Sequence, residues 1–148
     1  MNRCQLSRLA KLRVAVFTIA VLAACSSTPP AEFLNLKLQN GGFTMAFLEE
    51  SYRNMEIPIL KVSTSWEKQH DNAWTLHVAI DNTQDDSTVK IAYTFERQKD
   101  MAVAKSCFVD GTPCDTVSTI IQTNPTIFKL MIEQSTDTGE NSSESEQQ

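Results

Sequence analysis

The chain has 148 residues, 41% of them hydrophobic and 7% aromatic, with four glycines and five prolines. Those values exclude a collagen-like or wholly disordered chain and leave room for one compact domain. The net charge of −5 speaks against a nucleic-acid binder, which needs a basic stripe to displace counterions.

The N-terminus has the build of an export signal. Arg3, Arg8, Lys11 and Arg13 precede an eleven-residue run, Val14 to Ala24, that is apolar except for Thr18. A spanning helix would need about 20 such residues. No adjacent pair of arginines points to the twin-arginine route. The run ends in Leu22-Ala23-Ala24-Cys25-Ser26. This segment resembles the lipobox of bacterial lipoproteins, with a branched apolar residue and two small ones before a cysteine. The resemblance implies a signal peptide over 1–24 and a diacylglycerol thioether on Cys25. It also implies cleavage before Cys25 and acylation of the new amine by a chain such as palmitate. Several acyl chains, at about 0.8 kcal/mol per buried CH₂, hold a protein on a bilayer without a spanning helix. Ser26, in place of the aspartate that marks inner-membrane retention in enteric lipoproteins, implies the outer membrane, facing the periplasm. The resemblance covers the targeting segment alone.

Loss of residues 1–24 removes four basic residues and no acid, leaving nine basic against 18 acidic residues, a net −9. Residues 25–32, with Pro29-Pro30, read as the lipidated N-terminus and an extended tether. Residues 134–148 hold four acids and no base, so they read as a disordered acidic tail. A β domain over 33–133 remains.

Its strands are predicted from alternation. Phe33 to Leu38 places Leu34, Leu36 and Leu38 on one face, and Asn40-Gly41 is a hairpin signal. That turn pairs Leu38 with Phe43, Leu36 with Met45 and Leu34 with Phe47, and predicts a hairpin to about Leu48. A short helix over 44–54 competes with it, on the spacing of Met45, Leu48, Tyr52 and Met55. Ile57 to Trp66 is the next strand, followed by a polar connection from Lys68 to Asn72. Trp74 to Ile80 and Val89 to Phe95 alternate most cleanly, and folding at Asn82 to Ser87 pairs Trp74 with Phe95 and Ile80 with Val89. This hairpin is loosely similar to the core hairpin of immunoglobulin-like envelope lipoproteins. Asp110-Gly111 as a two-residue turn sets Cys107 opposite Cys114, and an oxidising compartment predicts a disulfide between them. Thr116 to Gln122 and Thr126 to Glu133 are expected as a last strand pair across Asn124-Pro125. The fold class is therefore all-β: an antiparallel immunoglobulin-like sandwich or small barrel of seven to eight short strands.

No catalytic motif appears: no GxSxG, Walker loop, HExxH or GxGxxG. His77 lies on the strand face opposite Trp74 and is expected in solvent. His70-Asp71 and Glu49-Glu50 read as solvated polar ends. Asp81, Asn82, Asp85 and Asp86 are an oxygen-rich set, but their spacing fits no calcium loop and suits turn bonding. No enzyme, cofactor or metal is therefore expected. Trp66, ending its strand beside Glu67 and Lys68, and Phe108, on the disulfide-clipped loop, are the candidate partner contacts. The sequence thus predicts a non-enzymatic lipoprotein, anchored through Cys25, that binds or scaffolds another cell-envelope component. Some lysozyme inhibitors are also lipoproteins with small disulfide-bonded β-barrels. An acidic inhibitor of a periplasmic enzyme such as lysozyme is the alternative.

Overall fold

In the computed structural model, which describes residues 27–137, the two clearest alternating runs form long paired strands. These are β3 (Ala73–Asn82) and β4 (Ser87–Gln98). Their register sets Trp74 opposite Phe95 and Ile80 opposite Val89, as the alternation predicts. On one face stand Trp74, Leu76, Val78, Ile91, Tyr93 and Phe95, all buried. The opposite face carries His77, Asp81, Lys90 and Glu96. A period of two, with one face apolar, fixes this register because a one-residue slip would turn every side chain over.

Two more strands extend the meander. β2 (Leu60–His70) pairs with β3, and β5 (Met101–Val109) pairs with β4, both antiparallel. β2 starts three residues later than the expected strand at Ile57 and runs through Lys68 to His70. The polar connection thus shrinks to Asp71-Asn72. Lys105 is extra in β5, where pairing passes from Thr94↔Ser106 to Phe95↔Ala104. This bulge lets Cys107 and then Ala102 both face the core. At its end Asp110 and Gly111 have φ of 48° and 81°, the turn that a tight hairpin needs. β6 (Thr112–Pro113) returns from it, with Val109↔Thr112 and Phe108↔Pro113 in register.

The N-terminal hairpin is half realised. Leu38 N–H donates to Phe43 O at 2.8 Å, and Met45 N–H donates to Leu36 O at 3.0 Å. Lys37 bridges Thr44 between them, so the predicted register holds. The strand ends there. Ala31–Leu34 is a single helical turn, α1, that takes in two residues expected in the tether. β1 is only Lys37–Leu38, and it runs parallel along β5. Beyond Thr44 the competing helix forms as α2 (Met45–Arg53). The Thr44 hydroxyl caps it by accepting from Phe47 N–H. Its buried side is Met45, Leu48, Ser51 and Tyr52, a helical stripe.

The last expected strand pair is a correction. Thr116–Thr123 and Pro125–Asp137 are helices, α3 and α4. The Asp115 carboxylate accepts from Ser118 N–H at 2.8 Å and caps α3. Pro125 pushes the residue before it out of helical geometry, and Asn124 is extended at φ −126°, ψ 93°. Asn124 then caps α4 through Ile127 N–H, with Pro125 at the first helical position. The β-branched content of 116–123 favours strand, but two caps and burial of Thr116, Thr119 and Ile120 override it.

The result is one curled mixed sheet, in the order β1-β5-β4-β3-β2 with β6 also on β5. Its apolar face is covered by helices, so the described domain is β-rich but not all-β. Helices, not a second sheet, supply the opposing layer. Phe33, Met45, Leu48, Tyr52, Ile120 and Ile127 pack onto the sheet's Trp66, Leu76, Tyr93 and Phe95 in one core. Each such side chain contributes about 1.5–3 kcal/mol when fully buried. The lipidation residue Cys25 and the tail beyond 137 lie outside the described residues.

Candidate functional site

Cys107 and Cys114 stand at disulfide distance, with Cα atoms 5.0 Å apart. Cys107 is buried, and its sulfur meets the Thr119 hydroxyl at 3.7 Å. The pair therefore clips the β5–β6 hairpin beneath α3. Phe108 beside it is 41% exposed on the sheet's outer face.

Trp66 is not at the surface. It is 4% exposed, so the partner contact considered for it lacks the exposure that it needs. Phe33 of α1 packs edge-on against its ring, with centroids 6.0 Å apart. Its indole N–H donates to Glu49 Oε2 at 2.8 Å. The same carboxylate accepts from Thr64 Oγ1 and pairs with Arg53. Glu49, read from sequence as a solvated acid, instead ties α2 to β2. Glu50 stays in solvent.

Most of the remaining polar candidates have structural partners, while His70 and Asp86 are exposed. His77 Nε2 lies 2.8 Å from Glu67 Oε2 on the outer face. Lys68 Nζ donates to Asp71 at 2.9 Å, which holds the Asp71 carboxyl below its usual range. In the β3–β4 loop, Asn82 accepts from Gln84 N–H, Asp81 from the Thr88 hydroxyl, and Asp85 from Ser87 N–H and Oγ. The Ser87 bonds hold the Asp85 carboxyl low. These are the local bonds by which such residues build turns. Among the described residues, no three His, Cys, Asp or Glu side chains converge as a metal set. None of the described helices is long and apolar enough to cross a membrane.

What the alternation does not reveal is a groove. At one end of the sheet's inner face, an open apolar cavity of about 630 Å³ is lined by Met55, Ile57, Leu60, Ile80, Val89, Ile121, Gln122, Thr123, Pro125 and Phe128. α2 ends at Arg53 and α3 at Thr123. At this end of the sheet Leu60 and Ile80 are only partly covered, and Val89 is exposed. The α3–α4 corner forms the far wall. Phe128 and Ile132, one turn apart on α4, are exposed beside it. The volume is that of a ligand-sized site. The lining holds no charged side chain, and its polar groups are those of Gln122 and Thr123.

A chain of hydroxyls lies at the groove's edge. Thr123 Oγ1 donates to Thr119 O at 2.7 Å. It therefore accepts from Tyr52 Oη, 2.6 Å away, and Tyr52 accepts from Tyr93 Oη at 2.8 Å. Every proton in the chain has an acceptor, ending on a backbone carbonyl. Burial raises both tyrosines above their ordinary value, Tyr52 more strongly, helped by Tyr93 beside it. Raised phenols are poor general bases at neutral pH. The arrangement rigidifies the helix layer over the sheet.

The groove escapes sequence reading because its residues come from the α2–β2 connection, β2, β3, β4, α3 and α4, across more than seventy positions. The one local signal is Asn124-Pro125, which marks a helix cap as well as it marks a turn. Comparison with protein families, curated proteins and solved structures finds no match for this chain.

Proposed function

We propose that the protein is a non-enzymatic cell-envelope lipoprotein that holds apolar side chains of a partner protein in the groove beside the α3–α4 corner. The observation that carries this reading is the groove itself: apolar, open and left uncovered by the domain's own helices. Soluble domains leave such surface exposed chiefly where something binds. A protein segment is favoured over a phospholipid. The lining offers no cation for a phosphate or carboxylate head, and the neighbouring β3–β4 loop carries Asp85 and Asp86, both exposed. An apolar segment flanked by basic residues fits both features.

The anchor in this reading is Cys25, on the lipobox resemblance, with the outer membrane as the site and the periplasm as the side faced. The architecture fits half of a small barrel, its open side filled by α2, α3 and α4. A tethered half-barrel needs no reactive group; position and a binding face suffice.

The test is photocrosslinking in the native envelope from a benzophenone side chain placed at Phe128, with Cys25→Ser alongside. The expected result is one dominant protein adduct, lost when Val89→Asp closes the groove to apolar groups and reduced by Cys25→Ser. Adducts confined to lipid would overturn the choice of partner. A protein adduct that survives Val89→Asp would remove the groove from the function.

A further inference from the structure

β2 is an eleven-residue edge strand whose outer side no described element covers. Thr83 N–H donates to Ile59 O, and Leu60 lies opposite Asn82. Residues 59 and 83 are thus a hydrogen-bonded pair. Alternation along an antiparallel ladder then assigns 61, 63, 65 and 67 to bonds with β3. Val62, Thr64, Trp66 and Lys68 point their N–H and C=O groups away from the sheet. No proline interrupts this stretch, and the ladder is regular up to Lys68. Natural edges of this length are usually shortened, bulged or covered.

We infer that β2 pairs antiparallel with β2 of a second copy of this chain, with Thr64 on the two-fold axis. Every two-fold register pairs outward-pointing residues with one another, and Thr64 is the centre that uses all of the regular stretch Leu60–Lys68 and nothing beyond it. It pairs Thr64 with Thr64, Val62 with Trp66 and Leu60 with Lys68 of the second copy. On the outer face it sets Ser63 opposite Ser65 and Lys61 opposite Glu67. The last pairing occurs twice by symmetry and joins opposite charges, both exposed. Cross-strand pairs of this kind stabilise a sheet, and like charges there oppose it. A centre on Val62 or Trp66 shortens the ladder, a centre on Ser63 or Ser65 carries it to Pro58 or past the irregularity at Lys68–His70, and all four lose the Lys61–Glu67 match. The register gives about eight new backbone bonds and joins two six-stranded sheets into one of twelve strands.

The chain's entry into the domain agrees with this placement. Ser27 and Thr28 line a small polar cleft with Glu49, Arg53, Thr64, Ser65 and Trp66. Under a two-fold normal to the sheet, both copies enter beside the axis on the same face. Two copies tethered to one bilayer need that geometry. The pairing itself rests on β2 alone and stands independently of the groove.

The experiment uses the full-length protein in its membrane. Thr64→Cys brings two thiols together across the axis, where hydrogen-bonded partners have Cα atoms about 5.5 Å apart. Mild oxidation is expected to give a disulfide-linked dimer on a non-reducing gel, several-fold above His77→Cys on the open outer face. Equal yields at the two positions, or a Thr64→Cys adduct with a different protein, would overturn the inference. The charge pairing is tested by sedimentation of the detergent-extracted protein. Lys61→Glu and Glu67→Lys are each expected to weaken the dimer at least about tenfold, which is about 1.4 kcal/mol. The double exchange is expected to restore it. A protein that stays monomeric throughout, or a dimer indifferent to Lys61→Glu, refutes the register. Circular dichroism of each variant separates a lost dimer from a lost fold.

Discussion

Asn124→Ala is the substitution that most directly probes how the helix layer is fixed. Asn124 is fully buried. Its Oδ1 accepts from Ile127 N–H at 3.2 Å, and its Nδ2 donates to Ser51 Oγ at 2.8 Å. Ser51 in turn donates to Leu48 O. One side chain therefore caps α4 and ties it to α2. Loss of a cap costs about 1 kcal/mol, and loss of a buried neutral hydrogen bond about another. The void left by three heavy atoms adds up to about 1 kcal/mol, since cavities cost about 24 cal/mol per Å³. The expected destabilisation is about 2–3 kcal/mol, and at about 4 °C per kcal/mol the melting temperature falls by about 8–12 °C. Asn124→Asp supplies the sharper contrast. It keeps the cap acceptor but replaces the donor and buries a carboxyl, whose folded pKa is raised. Stability is then retained below the unfolded carboxyl value of about 3.9 and lost as pH rises through the folded value. Thermal melts by circular dichroism at pH 4 and pH 7 read both effects. A shift under about 3 °C for Asn124→Ala, or a pH-independent deficit for Asn124→Asp, refutes the buried tie.

Three further outcomes follow from the same structure. Cys107→Ser with Cys114→Ser is expected to cost about 2–3 kcal/mol by loop-closure entropy, with reductant lowering the wild-type melt equally and the double variant not at all; a wild-type melt indifferent to reductant, or two free thiols by mass spectrometry, would sink the pairing. The chain has two tyrosines, Tyr52 and Tyr93, both raised by burial. They stay neutral in the fold, so their contribution is full below the unfolded value of about 10 and lost as pH rises above it. Tyrosinate absorbance should therefore appear only with unfolding, and a simple titration at pH 10 in the folded protein would contradict the hydroxyl chain. Asp115 is held low by the Ser118 N–H that it accepts. Asp115→Asn should differ from wild type above about pH 4 and converge with it as pH falls through the folded value; a constant gap across that range would deny the cap its charge.

Much of the sheet was legible because its signal is local and periodic. Trp74 to Phe95 has one apolar face over two whole strands, and only one register buries all of it. Asp110-Gly111 supplies the two positive-φ residues that its turn needs. Leu36 and Leu38 found their predicted partners, but Thr44 caps a helix where the alternation continued. The helices at 116–137 were not legible from propensity. Thr116, Val117, Thr119, Ile120 and Ile121 favour strand, and their helical spacing competes with that preference. The deciding signals were single residues, Asp115 three before Ser118 and Asn124 before Pro125. Trp66 was placed correctly on its strand, yet its burial depends on Phe33 and Glu49, which arrive from helices that alternation did not foresee.

The groove can be separated from a mere gap in packing by where the burial stops. Along β4 the inner face runs Phe95, Tyr93 and Ile91, all buried, and then Val89, 37% exposed. Phe128 across the groove is 48% exposed. A domain that ended its core at Ile91 for stability alone could carry threonine at 89 and glutamine at 128 without loss. Val89→Thr keeps the shape and adds a hydroxyl that water can reach, so it should change the melting temperature by no more than about 2 °C, as surface substitutions do. Partner burial of these two half-exposed side chains is worth roughly 1 kcal/mol each, so Val89→Thr with Phe128→Gln should weaken partner capture by more than tenfold, given about 1.4 kcal/mol per tenfold. The combination of an unchanged melt and a lost partner marks a binding surface. A melt that falls as a core substitution would, by more than about 8 °C, makes these residues structural and leaves the partner to be sought elsewhere on the sheet.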